Sequence, residues 1–231
     1  MKLLVVGSCT GEKDIRDCPS LLKEADFDDP AASVHREAEL SRWALPAARL
    51  YTGWQHRYMM MGVSAIRQRF GSAACALKIV SAGYGLVDED RSLVPYEAKF
   101  QHKPRKWISE RAQKLGIPQA LRQAVRDYEV VIFLLGKEYL LSTHLPVEPG
   151  DTQRLIFLTS NTNLPFHPSS TIVPASLQET RFGAGLVALK GKMFELFAYG
   201  LCRRPKAWKE VLTDPTAETF LRLVEAGRGK A

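Results

Sequence analysis

Apolar residues fall in short unbroken runs, with amphipathic stretches between them. Lys2–Gly7, Ala76–Val87, Asp127–Gly136 and Arg154–Asn163 each hold a Val/Ile/Leu/Phe run stopped by Gly, Ser or Asn, and Ser170–Ser176 is a shorter fifth. Such runs predict strands buried on both faces. Between them the pattern turns helical. Tyr58, Met61, Ala65 and Ile66 recur at helical spacing within Trp54–Phe70, before a stop at Gly71. Ala31–Leu45 predicts a helix ending before Pro46. Pro104–Arg126 predicts another, broken at Gly116–Pro118. Phe182–Gly200 predicts a core helix with Phe182, Leu186, Leu189, Met193 and Phe197 on one face. Thr216–Ala226 predicts a terminal helix capped by Thr213 or Asp214.

Strands alternating with helices imply βαβ crossovers. The expected fold is a single α/β domain over 1–231, with a central, mostly parallel sheet of four to five strands flanked by helices. The polar, acidic start of 14–45 marks that segment as a lid or insertion, and 202–231 reads as a C-terminal helical extension. Ligands of such sheets bind beyond the carboxyl ends of the strands. Those ends read "GSCTGEK", "SAGYGL", "LGKEY", "TSNTN" and "PAS".

Composition narrows the function classes. With 45% hydrophobic and 25% charged residues in 231, the chain is an ordinary globule. No apolar run approaches the ~18 residues of a membrane span, and the apolar start is too short for a signal peptide. No membrane contact and a cytoplasmic location are expected. Cys9, Cys18, Cys75 and Cys202 form no C-x-x-C pair, and the five histidines are scattered. No metal and no cofactor are expected. The net charge of +7 suits a polyanionic partner. Lys99–Lys114 interleaves Lys103, Arg105 and Lys106 with Phe100 and Trp107, and Cys202–Glu210 sets Arg203 and Arg204 near Trp208. Both fit a backbone-tracking groove, and both equally fit a solvated helix face. Lys190 and Lys192 add candidate phosphate contacts.

The first turn is not a phosphate loop of the G-x-x-x-x-G-K-[ST] type. Three residues separate Gly7 from Gly11, Glu12 stands before Lys13, and Asp14 replaces the hydroxyl. Cys9 is either a nucleophile in a turn that favours its thiolate or a small side chain fixing that turn. Ser81–Phe100 gathers Asp88, Glu89, Asp90 and Glu97 beside Gly83 and Gly85. Carboxylates in a basic protein suit water activation or stabilisation of a sugar cation; a solvated acidic turn is the alternative.

Three ordered segments over the first 100 residues resemble a bacterial domain family of unknown function, related to the YaaA peroxide-stress proteins and to a domain of archaeosine synthase. They are "CTGEK" (Cys9–Lys13), "PAARLYTG" (Pro46–Gly53) and "SAGYGLVDEDRSLVPYE" (Ser81–Glu97). Thr10 stands for the family's serine and Glu97 for its aspartate, with Asp90 at the acidic position. That family occurs among proteins of base modification, DNA damage response and phage defence, and its core is similar to that of uracil-DNA glycosylases. The glycosylase signature Gly-Gln-Asp-Pro-Tyr is absent, and "FHPSS" at His167–Ser169 stands before a strand rather than after one.

The resemblance implies a base-flipping DNA glycosylase acting on a modified base in double-stranded DNA, with RNA left open as a substrate. Asp90 or Glu97 is the expected catalytic carboxylate. Cys9, Thr10, Lys13, Ser160 and Asn161 would line the pocket, and Tyr51, Tyr84 and Tyr96 would stack on the base. Lys103, Arg105, Lys106, Lys190, Lys192, Arg203 and Arg204 would hold the nucleic acid. A non-enzymatic DNA-binding stress protein and a nucleoside or base-exchange transferase are the alternatives.

Overall fold

The computed structural model describes residues 1–15 and 17–229. Arg16, in the expected lid, and residues 230–231, at the end of the expected extension, lie outside the described residues.

Six strands form the central sheet: β1 (Leu3–Ser8), β2 (Cys75–Ser81), β3 (Gly85–Asp88), β4 (Val130–Leu134), β5 (Arg154–Thr159) and β6 (Thr171–Pro174), in the order β6-β5-β4-β1-β2-β3. Every pairing is parallel except β2 with β3. The expectation of four to five strands is corrected by β3. Its four residues continue from the glycine turn after β2 and fold back antiparallel, Ser81 facing Gly85 and Lys78 facing Asp88. β1 and β4 are buried along their whole length, as parallel strands covered on both faces require.

The helices are α1 (Pro30–Glu39), α2 (Trp54–Phe70), α3 (Arg105–Lys114), α4 (Ile117–Val125), α5 (Lys137–Ser142), α6 (Leu189–Arg203), α7 (Ala207–Thr213) and α8 (Ala217–Arg228), besides a single turn at Ala47–Leu50. α2 crosses from β1 to β2 in one direction along the sheet, whereas α3 and α4 cross from β3 back to β4 in the other. Right-handed crossovers of opposite travel place their helices on opposite faces. α6 packs between α2 and α8, and α3 packs on α4 and α5. The result is three layers, helix–sheet–helix.

Glycines set the closeness of the α6 crossings. A Cβ on Gly191 would strike the Gln55 carbonyl, one on Gly200 the Leu223 carbonyl, and one on Gly227 the Leu196 carbonyl. α6 and α8 thus touch backbone to backbone, each through a glycine of its own.

Local chemistry moves several expected boundaries. Gly183 (φ +94°) ends a short 3-10 turn, so α6 starts at Leu189 and leaves Phe182 and Leu186 outside the helix. The face of α2 that enters the core carries His56, Met59, Val63 and Ile66, while Met61 is exposed. The cap of α8 is Thr216, whose hydroxyl accepts the Thr219 N–H, rather than Thr213 or Asp214.

Residues 22–28 of the expected lid lie against the body. Leu22 pairs with Tyr96, Phe27 packs edge-on to Tyr84 and Tyr96, and Arg111 donates to Asp28 at 2.6 Å.

Candidate active site

From β1 the sheet grows both ways: β2 lies on one side and β4 on the other. Chains leaving the carboxyl ends of β1 and β4 diverge to opposite faces, which opens a crevice there. A cleft of about 760 Å³ occupies this point, within the size range of small-molecule sites. Ser8 at the end of β1 and Cys9–Glu12 after it enter the cleft, Gly53–Gln55 and Tyr58 come from the start of α2, Gly136, Glu138 and Tyr139 follow β4, and Gln101, residues 183–188 and Lys190 close the rest.

Gln55 bridges the diverging strands. Its amide donates to the Leu134 carbonyl at 3.0 Å and reaches the Ser8 hydroxyl at 3.5 Å. The Cys9 N–H donates to the Val80 carbonyl at 2.9 Å, tying the turn to β2. The Cys9 thiol lies 3.0 Å from the Tyr139 hydroxyl, which donates to the Gln101 side-chain carbonyl at 3.3 Å. The phenol has a single proton, so the Cys9 and Gln101 contacts compete for it unless the thiol donates. Burial, then the neighbouring Cys9, pushes the Tyr139 phenol far above its ordinary value, so it stays a neutral hydroxyl.

Two carboxylates, Glu12 and Glu138, line the cleft, and so does Lys190. Burial lowers the Lys190 pKa against a smaller opposing pull from Glu138. Trp54 is exposed on the rim, tilted against Tyr58 at 5.8 Å, and Leu186 and Val187 are exposed on the facing loop. Polar groups on the floor and apolar groups on the lip can hold a flat heteroaromatic ring. Among the described residues, no three His, Cys, Asp or Glu gather to hold a metal ion.

Of the residues expected to bind or react, Cys9, Thr10 and Lys190 line this cleft. Asp90 and Glu97 do not. β3 runs back toward the amino ends of the strands, so it carries Glu89 and Asp90 away from the cleft, and Asp90 is exposed. Glu89 pairs with Arg67. Glu97 is exposed beside a separate cavity of about 590 Å³ that it shares with Lys13 and Tyr96. Lys13 donates to the Thr10 carbonyl at 3.0 Å and sits 4.5 Å over the Tyr96 ring. Burial lowers its pKa, while Cys9 and Glu97 oppose the shift.

None of the three tyrosines expected to stack on a base lines the cleft, and Tyr84 is half-buried. Tyr51 and Tyr96 are buried, with hydroxyls 2.8 Å apart, and Tyr96 is 2.7 Å from the Ser81 hydroxyl. Tyr84 meets Tyr96 edge-on at 5.2 Å. Ser160 is exposed and Asn161 half-buried past β5, neither lining the cleft.

The expected nucleic-acid cations divide. Arg105 and Lys106 are exposed at the start of α3, four and five residues beyond Gln101, with Lys106 in a long, exposed ion pair to Glu110 at 3.9 Å. Lys103 pairs with Glu24 at 2.8 Å and Lys192 with Glu195 at 2.6 Å. Arg203 donates to the Ala226 and Gly229 carbonyls, capping the C-terminus of α8. It and Arg204 stand at the far end of α6, roughly 20 Å of helix from Lys190.

Gln55, Gln101, Glu12, Glu138 and Tyr139 are the cleft residues that sequence reasoning missed. Glu138 and Tyr139 were within reach, because "LGKEY" is a strand end. Gln55 and Gln101 carry no spacing signal. No family model matches this chain, and no curated protein matches it either.

Proposed function

We propose that the protein is a DNA glycosylase that takes a modified base out of the duplex and hydrolyses its N-glycosidic bond. The observation that supports this reading best is the cleft at the diverging strands, lined by two carboxylates, two glutamine amides and a lysine together with the exposed apolar side chains of Trp54, Leu186 and Val187. A flipped base would rest against Trp54 and Leu186, with its polar edge met by Gln55, Gln101 and Thr10. Bond cleavage builds positive charge on the sugar. Glu138 would stabilise that charge or accept a proton from the attacking water, with Glu12 as the second candidate. The exposed Arg105 and Lys106 would hold flanking phosphates. This assignment replaces Asp90 and Glu97, which lie outside the cleft. The resemblance to the YaaA-related family adds the context of phage defence, in the cytoplasm where the DNA is.

The test is incubation with a panel of duplexes carrying modified bases, followed by hot alkali. Strand scission at the modified nucleotide is expected, and Glu138→Gln should slow it by about 100-fold or more. Absence of scission across the whole panel overturns the reading.

One observation favours a second reading, an enzyme acting on a free nucleoside. Lys103, Lys192 and Arg203, expected to hold phosphates, are spent on contacts within the protein. Charge reversal at Arg105 and Lys106 separates the two, because only a DNA substrate makes turnover depend on those side chains.

A further inference from the structure

Three largely buried lysines stand near the cleft, and their amines differ in what they touch. Lys13 is held by the Thr10 carbonyl and the Tyr96 ring. Lys192 is paired with Glu195 at 2.6 Å. Lys190 lines the cleft from the first turn of α6, and among the described residues its amine makes neither a hydrogen bond nor an ion pair. Glu138, on the same lining, acts on it only from beyond ion-pair distance. A desolvated ammonium without a partner is costly, and the cost falls if the amine is neutral.

Resting on the base-excision reading of this cleft, we infer that Lys190 is a Schiff-base nucleophile, which attacks the abasic deoxyribose left by base loss and makes the protein a strand-cleaving lyase. The ring-opened abasic sugar presents an aldehyde at C1′. The Lys190 lone pair forms the C1′–Nζ bond, and with one added proton the carbonyl oxygen leaves as water, giving a protonated imine. Glu138 takes a proton from C2′, and the electron pair released expels the phosphate from C3′. Water then hydrolyses the imine, returning the free amine and an unsaturated aldehyde. No oxidant or reductant enters the cycle. Burial favours the neutral nucleophile by lowering the Lys190 pKa, and Lys190 lines the cleft that would receive the sugar.

The experiment incubates the whole protein with a duplex bearing one preformed abasic site in the presence of sodium borohydride, which reduces the imine to a stable secondary amine. A covalent protein–DNA adduct is expected, and mass spectrometry of its digest should map it to Lys190. Lys190→Arg and Lys190→Met, with folding checked by circular dichroism, should lose the adduct. Mapping the wild-type adduct keeps the test decisive even if a variant fails to fold. No adduct, or an adduct on another amine, overturns the inference. A duplex with a modified base, run in parallel, reads base release alone. Base release without an adduct on abasic DNA removes the lyase and leaves the glycosylase. An adduct on Lys190 without base release from any modified duplex does the reverse.

Discussion

The Tyr96 hydroxyl lies between those of Tyr51 and Ser81, and the three form a buried chain behind the Cys9 turn. Ser81 Oγ also accepts the N–H groups of Gly83 and Tyr84 at 3.2 and 3.0 Å. Tyr96→Phe removes the middle hydroxyl and leaves two buried partners short of a bond. A loss of about 1–3 kcal/mol is expected in urea unfolding, with the cleft unchanged. Cys75 offers a chemical check. Burial pushes its thiol up to about 12, so alkylation at pH 8 should leave Cys75 unmodified until the protein is unfolded. The lysines give a pH dependence. Burial holds Lys13 and Lys190 below the ordinary lysine value of 10.5, so over the window between their folded values and 10.5 the unfolded chain binds more protons than the folded one. Stability therefore rises with pH through that window, is complete above it, and is lost as pH falls through the folded values. Lys190→Met should raise Tm at pH 7 and flatten the rise toward pH 10.

Among the elements, α6 carries the cleft's lysine at one end and is clamped along its length by α2 and α8. Gly227→Ala sets a methyl group against the Leu196 carbonyl, which backbone cannot yield to cheaply. A loss of about 2 kcal/mol or more in thermal or urea unfolding is expected. Gly7→Ala is the contrasting case. Its methyl group meets the Met59 side chain at 2.6 Å, and a flexible thioether moves aside, so stability should stay within about 1 kcal/mol of the native protein. The sequence pattern revealed α2 and the five strands that run parallel to one another, because continuous Val, Ile and Leu runs have one stable use in an α/β chain. It hid β3, whose residues Gly85–Asp88 sit inside a glycine-rich, acidic stretch that reads as a turn. It overextended α6 to Phe182, because apolar spacing continues through Leu186 across two glycines that end regular structure.

For the whole molecule, the net charge of +7 favours polyanions, and Arg105 and Lys106 are exposed cations that could meet them, Lys106 held only by a long, exposed pair to Glu110. Arg105→Glu with Lys106→Glu should weaken binding to a 20-base-pair duplex and lower the slope of log affinity against log salt by about 2. Arg203→Glu should instead loosen α8, lowering Tm with little change in that slope. A ligand crevice at the carboxyl ends of the strands was legible from the strand-end residues, and Cys9 and Thr10 do stand in it. Its carboxylates, Glu12 and Glu138, stand in two of those strand ends, but no spacing singled them out over Asp90 and Glu97. Whether a loop carboxylate faces the crevice depends on the direction of the strand before it, and β3 reverses that direction for Asp90. The placement of β1 also bears on how the protein is made. The first strand of the chain is the middle of the sheet, with Leu3 beside Cys75 and Val130. A nascent chain therefore carries this strand without its first neighbour, β2, until about a third of the protein has been synthesised, and without its second, β4, until more than half has. Such distant pairing slows folding and exposes a sticky edge meanwhile. Refolding from urea should accordingly take milliseconds to seconds or longer, and its yield should fall as protein concentration rises.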